Sequence, residues 1–313
     1  MTQGGGRQEN LGMLLGLFAV SAFSLTLPIT RYLTEFLSVW EIGLGRTMIA
    51  AVAAAVVLVA TRQKLPNRSQ TLRLLVTASG ISFGFPVLTA VGMQTVPASH
   101  GGIVLGALPL STALIGTFLS RERPSLQFWM VSVAGFVAVA TFSFITHGGM
   151  GMDLYMGDLA LLGAVVMAGL GYAQGGQLAK TMGGWQVICW TLVVSLPILV
   201  LPTLALIDWG HLEALSPTAW GAFLFLALVN SLIGFFFWYR GLAIGGIARV
   251  SQAQLIQPFL TFFFSVLFLG EAFSLTALGF TVLVVAIVVL SKRTPITEKA
   301  AQASTAAMGT AAR

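Results

Sequence analysis

Ten apolar runs alternate with short polar connections along this chain, each close to the length of about 20 residues that crosses a bilayer as a helix. They fall near 11–30, 40–61, 72–94, 98–120, 125–146, 156–178, 186–206, 217–239, 247–269 and 273–291. Each predicts one spanning helix, and no connection leaves room for a soluble domain. The run after Arg7 has the outline of a signal peptide. It lacks a clear small-residue cleavage site and nine similar runs come after it, so it predicts the first span. Residues 1–10 read as a polar head and residues 292–313 as an Ala/Thr-rich disordered tail.

The runs repeat. Pro109 and Pro258 sit midway along the fourth and ninth, and Glu122 and Glu271 come thirteen residues later (258 − 109 = 149; 271 − 122 = 149). The same shift pairs Gly92 with Gly241, Thr112 with Thr261, Ser125 with Ser274 and Leu126 with Leu275. The expected fold is therefore all-α integral membrane: ten transmembrane helices as two five-helix repeats, 11–146 and 156–291. Five is odd, so the second repeat enters the membrane inverted.

Charge sets the orientation. The chain is 57% hydrophobic and 8% charged, against about 25% charged in soluble domains. With the N-terminus inside, fourteen of the sixteen Lys and Arg fall in inner segments. Only Arg31 falls outside, and Arg46 lies within a span. Basic short loops stay cytoplasmic, so both termini are predicted inside, in a membrane expected to be a bacterial inner membrane. The net charge of +6 is explained without a nucleic-acid partner; the partners expected are the lipid bilayer and a small-molecule substrate. No feature sets an oligomeric state.

The second half of each repeat runs through small residues, a mid-helix Pro, then Glu and a new helix: PASHGGIVLGALPLSTALIGTFLSRERPS and IARVSQAQLIQPFLTFFFSVLFLGEAFS. Each repeat opens with Gly before an apolar span, at Gly12 and Gly157, and Arg46 sits in the second helix. In this order and topology the chain resembles the EamA-type branch of the drug/metabolite transporter superfamily. The resemblance implies a ten-helix inverted-repeat fold that moves small organic solutes, often exporting amino acids or metabolites.

Several polar residues in the spans are candidates. Pro109 and Pro258 cannot donate a backbone hydrogen bond and so free the carbonyls of Leu105 and Gln254, giving kinks that line a cavity or simply pack. Gln254, Gln257 and Thr261 share a face of the ninth helix. They serve a zwitterionic substrate or only interhelical hydrogen bonds. The matched face of the fourth helix, Gly102, Gly106 and Pro109, makes space or permits close packing. Arg46 clamps a substrate carboxylate, pairs with Glu41 or caps a helix. Trp190, Asn230 and Gln174 are further cavity candidates, while Trp238 and Tyr239 read as interfacial belt residues. His100 is a gate or an ordinary residue of the outer mouth. Ser125 and Ser274 are placed to cap the next helix.

Other chemistry is not supported. No catalytic residues or cofactors are expected. His100, His147 and His211 have no metal-ligand spacing, and the single Cys189 forms no internal disulfide. GGQLAKT, Gly175–Thr181, lacks the glycine before lysine of a phosphate loop. TASG, Thr77–Gly80, only approaches the motif of intramembrane proteases. No carboxylate lies in the middle third of a span, so proton coupling would use His100 or a substrate proton, and facilitated diffusion stays open. Uptake of a vitamin-like or other uncharged solute is the alternative function, and an intramembrane enzyme a remote one.

Overall fold

The computed structural model describes residues 3–119, 122–146 and 156–270, with 275, 279, 282, 283, 286 and 296–298. Among them are eight helices long and apolar enough to cross a membrane: Arg7–Leu33, Glu41–Ala60, Arg68–Thr95, Ala98–Leu119, Met156–Met182, Gly184–Leu206, Pro217–Gly245 and Ile247–Leu269. These overlap the first four and the sixth to ninth expected spans, and are numbered accordingly below. Leu126–Thr146 is helical where the fifth was expected, and Ser125 caps it through the Phe128 N–H. The tenth expected span lies almost wholly outside the described residues, as do Glu271 and Ser274. The remaining regular structure described is a short helix, Trp209–Glu213, and one short antiparallel strand pair, Glu122–Pro124 with Ile296–Glu298.

The two halves match beyond sequence identity. Shifting Arg7–Leu33 by 149 gives 156–182, the bounds of the sixth helix, and shifting 68 and 98 gives 217 and 247, where the eighth and ninth begin. The irregularities match too. A π-helical stretch at Ser79–Gly84 maps to 228–233, inside the one at Phe225–Ile233. A 3-10 turn at Leu105–Ala107 maps to 254–256, inside Gln252–Ile256. Both 3-10 turns precede the paired prolines. Their tightened i→i+3 geometry lets Leu108 N–H and Gln257 N–H take up the carbonyls of Leu105 and Gln254 that the prolines free. Those carbonyls are thus satisfied within the helix rather than offered to a cavity.

The start of the ninth helix packs on the end of the fourth, and its end on the start of the fourth, so the two run antiparallel. The first helix packs against the eighth and the sixth against the third. Glycines let these backbones touch. A Cβ at Gly12 would stand 2.7 Å from Gly245 Cα, and one at Gly241 2.8 Å from the Gly12 carbonyl. At the equivalent crossing, a Cβ on Gly157 would stand 3.1 Å from the Gly92 carbonyl. Single-residue connections at Gly183 (φ 93°) and Gly246 (φ 85°) turn the chain between successive helices, in backbone space that side chains resist.

Trp238 and Tyr239 are fully buried, not interfacial. Trp238 packs on Tyr172 (centroids 5.3 Å apart) and Phe23 (6.1 Å), and the Tyr239 hydroxyl donates to the Gly171 carbonyl at 3.1 Å. Position along the helix suggested a belt, but packing of the eighth helix between the first and sixth turns this face into the core.

Candidate functional site

Six helices converge on a narrow central space: the first, second, third, sixth, eighth and ninth. Thr26, Arg46, Tyr172, Asn230, Ser231 and Gln257 supply its polar groups, and Phe23, Ile81, Phe85 and Phe235 its apolar wall. It holds about 20 Å³, room for roughly one water. Three π-helical stretches aim side chains here. One, Glu41–Gly45, ends directly before Arg46; the others carry Ile81 and the Asn230–Ser231 pair. A π turn adds a residue to the helical repeat and so re-aims the side chains beyond it, a feature frequent at functional sites.

Arg46 is 2% exposed, and its Nε and Nη1 have no hydrogen-bond partner. Arginine does not give up its proton in proteins, and one at the centre of a span costs about 2.5–3.5 kcal/mol on insertion scales. Of the three readings of Arg46, the pair with Glu41 does not form. Glu41 accepts from the Ser38 N–H at 2.6 Å and the Asp208 N–H at 3.0 Å, and meets His211 Nδ1 at 3.2 Å. Glu41 therefore ties down the neighbouring connection through Ser38, Asp208 and His211, while Arg46, directly after the π turn, lines the centre.

The polar groups around Arg46 are half-used. Asn230 donates to Thr26 Oγ1 at 2.7 Å, leaving its Oδ1 buried without a partner, and Gln257 Oε1 is likewise unpartnered. Buried polar atoms without partners are uncommon, and here they cluster beside an unpaired cation. Thr261 is used elsewhere: its hydroxyl donates to the Ser24 carbonyl at 2.9 Å. Pro28 cannot bond that carbonyl, the first helix breaks at Ser24–Leu25, and Thr261 replaces the missing donor.

The remaining candidates divide. Gln254 is fully buried with both amide atoms unpartnered, but it is not on the central lining. Gln174 is buried in the sixth helix away from that lining. Trp190 borders a separate cavity of about 620 Å³ among Arg62–Asn67, Gln70 and Thr181–Met182. No described residue of the fourth helix lines the centre. Gly102 instead packs on the ninth, where a Cβ would stand 3.2 Å from Thr261 Cγ2, and Gly106 and Pro109 are buried beside it.

His100 Nε2 lies 2.9 Å from Asp158 Oδ1, joining the starts of the fourth and sixth helices. Arg249 pairs with Glu9, joining the starts of the ninth and first. These contacts are equivalent in the repeat (249 − 100 = 149; 158 − 9 = 149) and lie at opposite ends of the antiparallel fourth and ninth helices. Sequence reasoning missed Asp158 and Glu9 as partners, although the 149 shift connects them. It also missed Thr26, Tyr172 and Ser231, for which no local signal existed.

Apolar helices of spanning length around a partly polar centre mark an integral membrane protein. The chain belongs to the EamA-like transporter family, matching it twice, over residues 10–144 and 155–292. It is 38% identical over 282 residues to an uncharacterized transporter of Bacillus subtilis (strain 168), YdeK, covering 90% of this chain and 97% of that protein. A second uncharacterized transporter of that organism, YyaM, is 22% identical over 264 residues, covering 82% and 86%. A crystal structure, 17% identical, superposes with a TM-score of 0.72 over 90% of this chain and 98% of its own, and so shares the fold.

Proposed function

We propose that this protein is a secondary transporter of ten spans in two inverted repeats, 11–146 and 156–291, which exports small amphipathic metabolites by alternating access. Amino acids are the leading class. The observation that carries this reading is the central cluster of Arg46, Asn230, Gln257 and Thr26, to which both halves contribute. One cation and neutral amides suit a zwitterion, and the four apolar wall residues suit its side chain. Sugar phosphates, with two negative charges, would outnumber the single fixed cation. Export, inner-membrane placement and cytoplasmic termini accord with the family and the basic-residue bias. The strand pair supports the tenth crossing: the chain leaves the ninth helix at Gly270, and Ile296 pairs with Pro124, at the opposite end of the fourth helix.

His100–Asp158 and Arg249–Glu9 act as the gates. Opening towards one side parts one pair while the other stays closed, and with both formed the centre holds only about 20 Å³. An amino acid needs far more, so substrate entry requires one pair to open. Counterflow in proteoliposomes with labelled amino acids, vitamins and sugar phosphates tests the reading. Exchange of at least one amino acid is expected; robust exchange of another solute and of no amino acid would sink it. The neutral lining groups Thr26, Asn230, Ser231 and Gln257 favour uptake of an uncharged vitamin-like solute as the second reading.

A further inference from the structure

Arg46 is a buried cation for which the described protein supplies no counter-charge. No carboxylate among the described residues pairs with it, its nearest polar companions on the lining are neutral, and two of its nitrogens are without hydrogen bonds. Beside it, Asn230 Oδ1 and Gln257 Oε1 are acceptors without donors. The set therefore lacks one thing of defined chemistry: an anion for the guanidinium, carried by a molecule that also donates hydrogen bonds to two amide oxygens. A planar carboxylate matches the guanidinium fork, and an ammonium or hydroxyl on the next carbon would supply the donors that the amide oxygens lack.

We propose that the transported solute is a carboxylate whose anionic end docks on Arg46, and that the carrier consequently works as an exchanger of carboxylates. This rests on the central space being the transport site. The charge dictates the exchange. Passing from one open face to the other requires both end pairs to close, which removes Arg46 from water. With a carboxylate bound, that step buries a neutralised pair; without one, it buries a lone guanidinium. A ligand that favours the closed form raises its population in proportion to that preference. Return of the carrier with a carboxylate aboard is therefore much faster than return without one. Net movement of solute down its own gradient is slow, and movement against an opposing carboxylate is fast.

The test has two arms on the purified full-length protein. In the first, thermal unfolding is monitored with L-leucine, L-phenylalanine, lactate and benzoate, and with leucinol and phenylalaninol, which keep the side chain and amine but lack the carboxylate. At least one carboxylate should raise Tm by about 3 °C or more at saturation, the alcohols should not, and Arg46→Gln should abolish the shift. Equal shifts by acids and matched alcohols, or no shift by any carboxylate, overturn the proposal even if Arg46→Gln fails to fold. In the second, proteoliposomes are loaded with the labelled form of the best of these carboxylates. Adding the same unlabelled compound outside should speed efflux about tenfold or more over efflux into plain buffer. Rates within about twofold of each other overturn the exchange mechanism. Binding of lactate or benzoate but of no amino acid would sink the amino-acid reading and leave the carboxylate site standing. Transport of leucinol as fast as leucine would do the reverse.

Discussion

The two ends of the molecule share one construction and differ in one chemical detail. At each, a glycine crossing brings two helices into backbone contact, Gly12 on Gly241 and Gly245 at one end and Gly157 on Gly92 at the other. Beside each crossing an acid from the same helix holds a base on another: Glu9 with Arg249, Asp158 with His100. Both crossings bring backbone close, although side chains of Thr95, Val96 and Leu161 also crowd the second. The bases differ. Guanidinium stays charged, whereas histidine as a residue type alternates between neutral and charged near physiological pH. Exposure differs as well: Glu9 is 44% exposed, and Asp158 only 18%. The two halves thus carry the same frame at equivalent positions, and single substitutions set the chemistry at each end.

Breaking the shared frame has the largest effect. Gly12→Leu and Gly157→Leu should each lose about 3 kcal/mol or more, since the new side chain meets backbone at Gly12 and, at Gly157, Thr95 Oγ1 and Val96 Cγ2 within 2.5 Å of its Cβ. Fluorescence-detected size exclusion of both variants checks this; a well-folded Gly157→Leu beside a collapsed Gly12→Leu would show that the ends are not equivalent. Next comes the centre between the ends. Gln257→Leu should keep the protein folded and lower transport about tenfold, the loss of one hydrogen bond to a charged or zwitterionic solute. Gln254→Leu, off the lining, should lower it less. If the order is reversed in proteoliposome flux, the central lining is not the transport site.

Smaller effects separate the gates. With Cys189→Ser removing the native thiol, a Ser231→Cys probe reports access to the centre from either side through labelling by a membrane-impermeant reagent. Asp158→Asn should raise labelling from its end about tenfold, the less exposed pair being the stronger. Glu9→Gln should raise it from the other end about threefold or less, as half-exposed pairs contribute little. The smallest change is His100→Arg, which makes the two ends chemically alike. Labelling from the His100 end should fall about twofold, since guanidinium keeps its charge and offers a forked donor to Asp158.

The sequence by itself determined which segments lie in the membrane, that they come in two copies 149 residues apart, and where the prolines interrupt them. Burial of some 20 consecutive apolar residues leaves no alternative to a spanning helix, and a duplicated gene keeps its register in the numbering. Even the two end pairs were written there, in the common shift relating Glu9 to Asp158 and His100 to Arg249. Only the tertiary structure decided which faces meet at the centre. A helix in lipid is apolar all round, so it has no polar stripe to mark its inner side. That is why Tyr172, Thr26 and Ser231 passed unnoticed, why Trp238 and Tyr239 were misplaced at the interface, and why Thr261 could not be seen to serve Ser24. The π-helical turn before Arg46 likewise leaves no mark in composition. It took the packed helices to show that Glu41, five residues away, is engaged with Ser38, Asp208 and His211, and that Arg46 faces the centre unpaired.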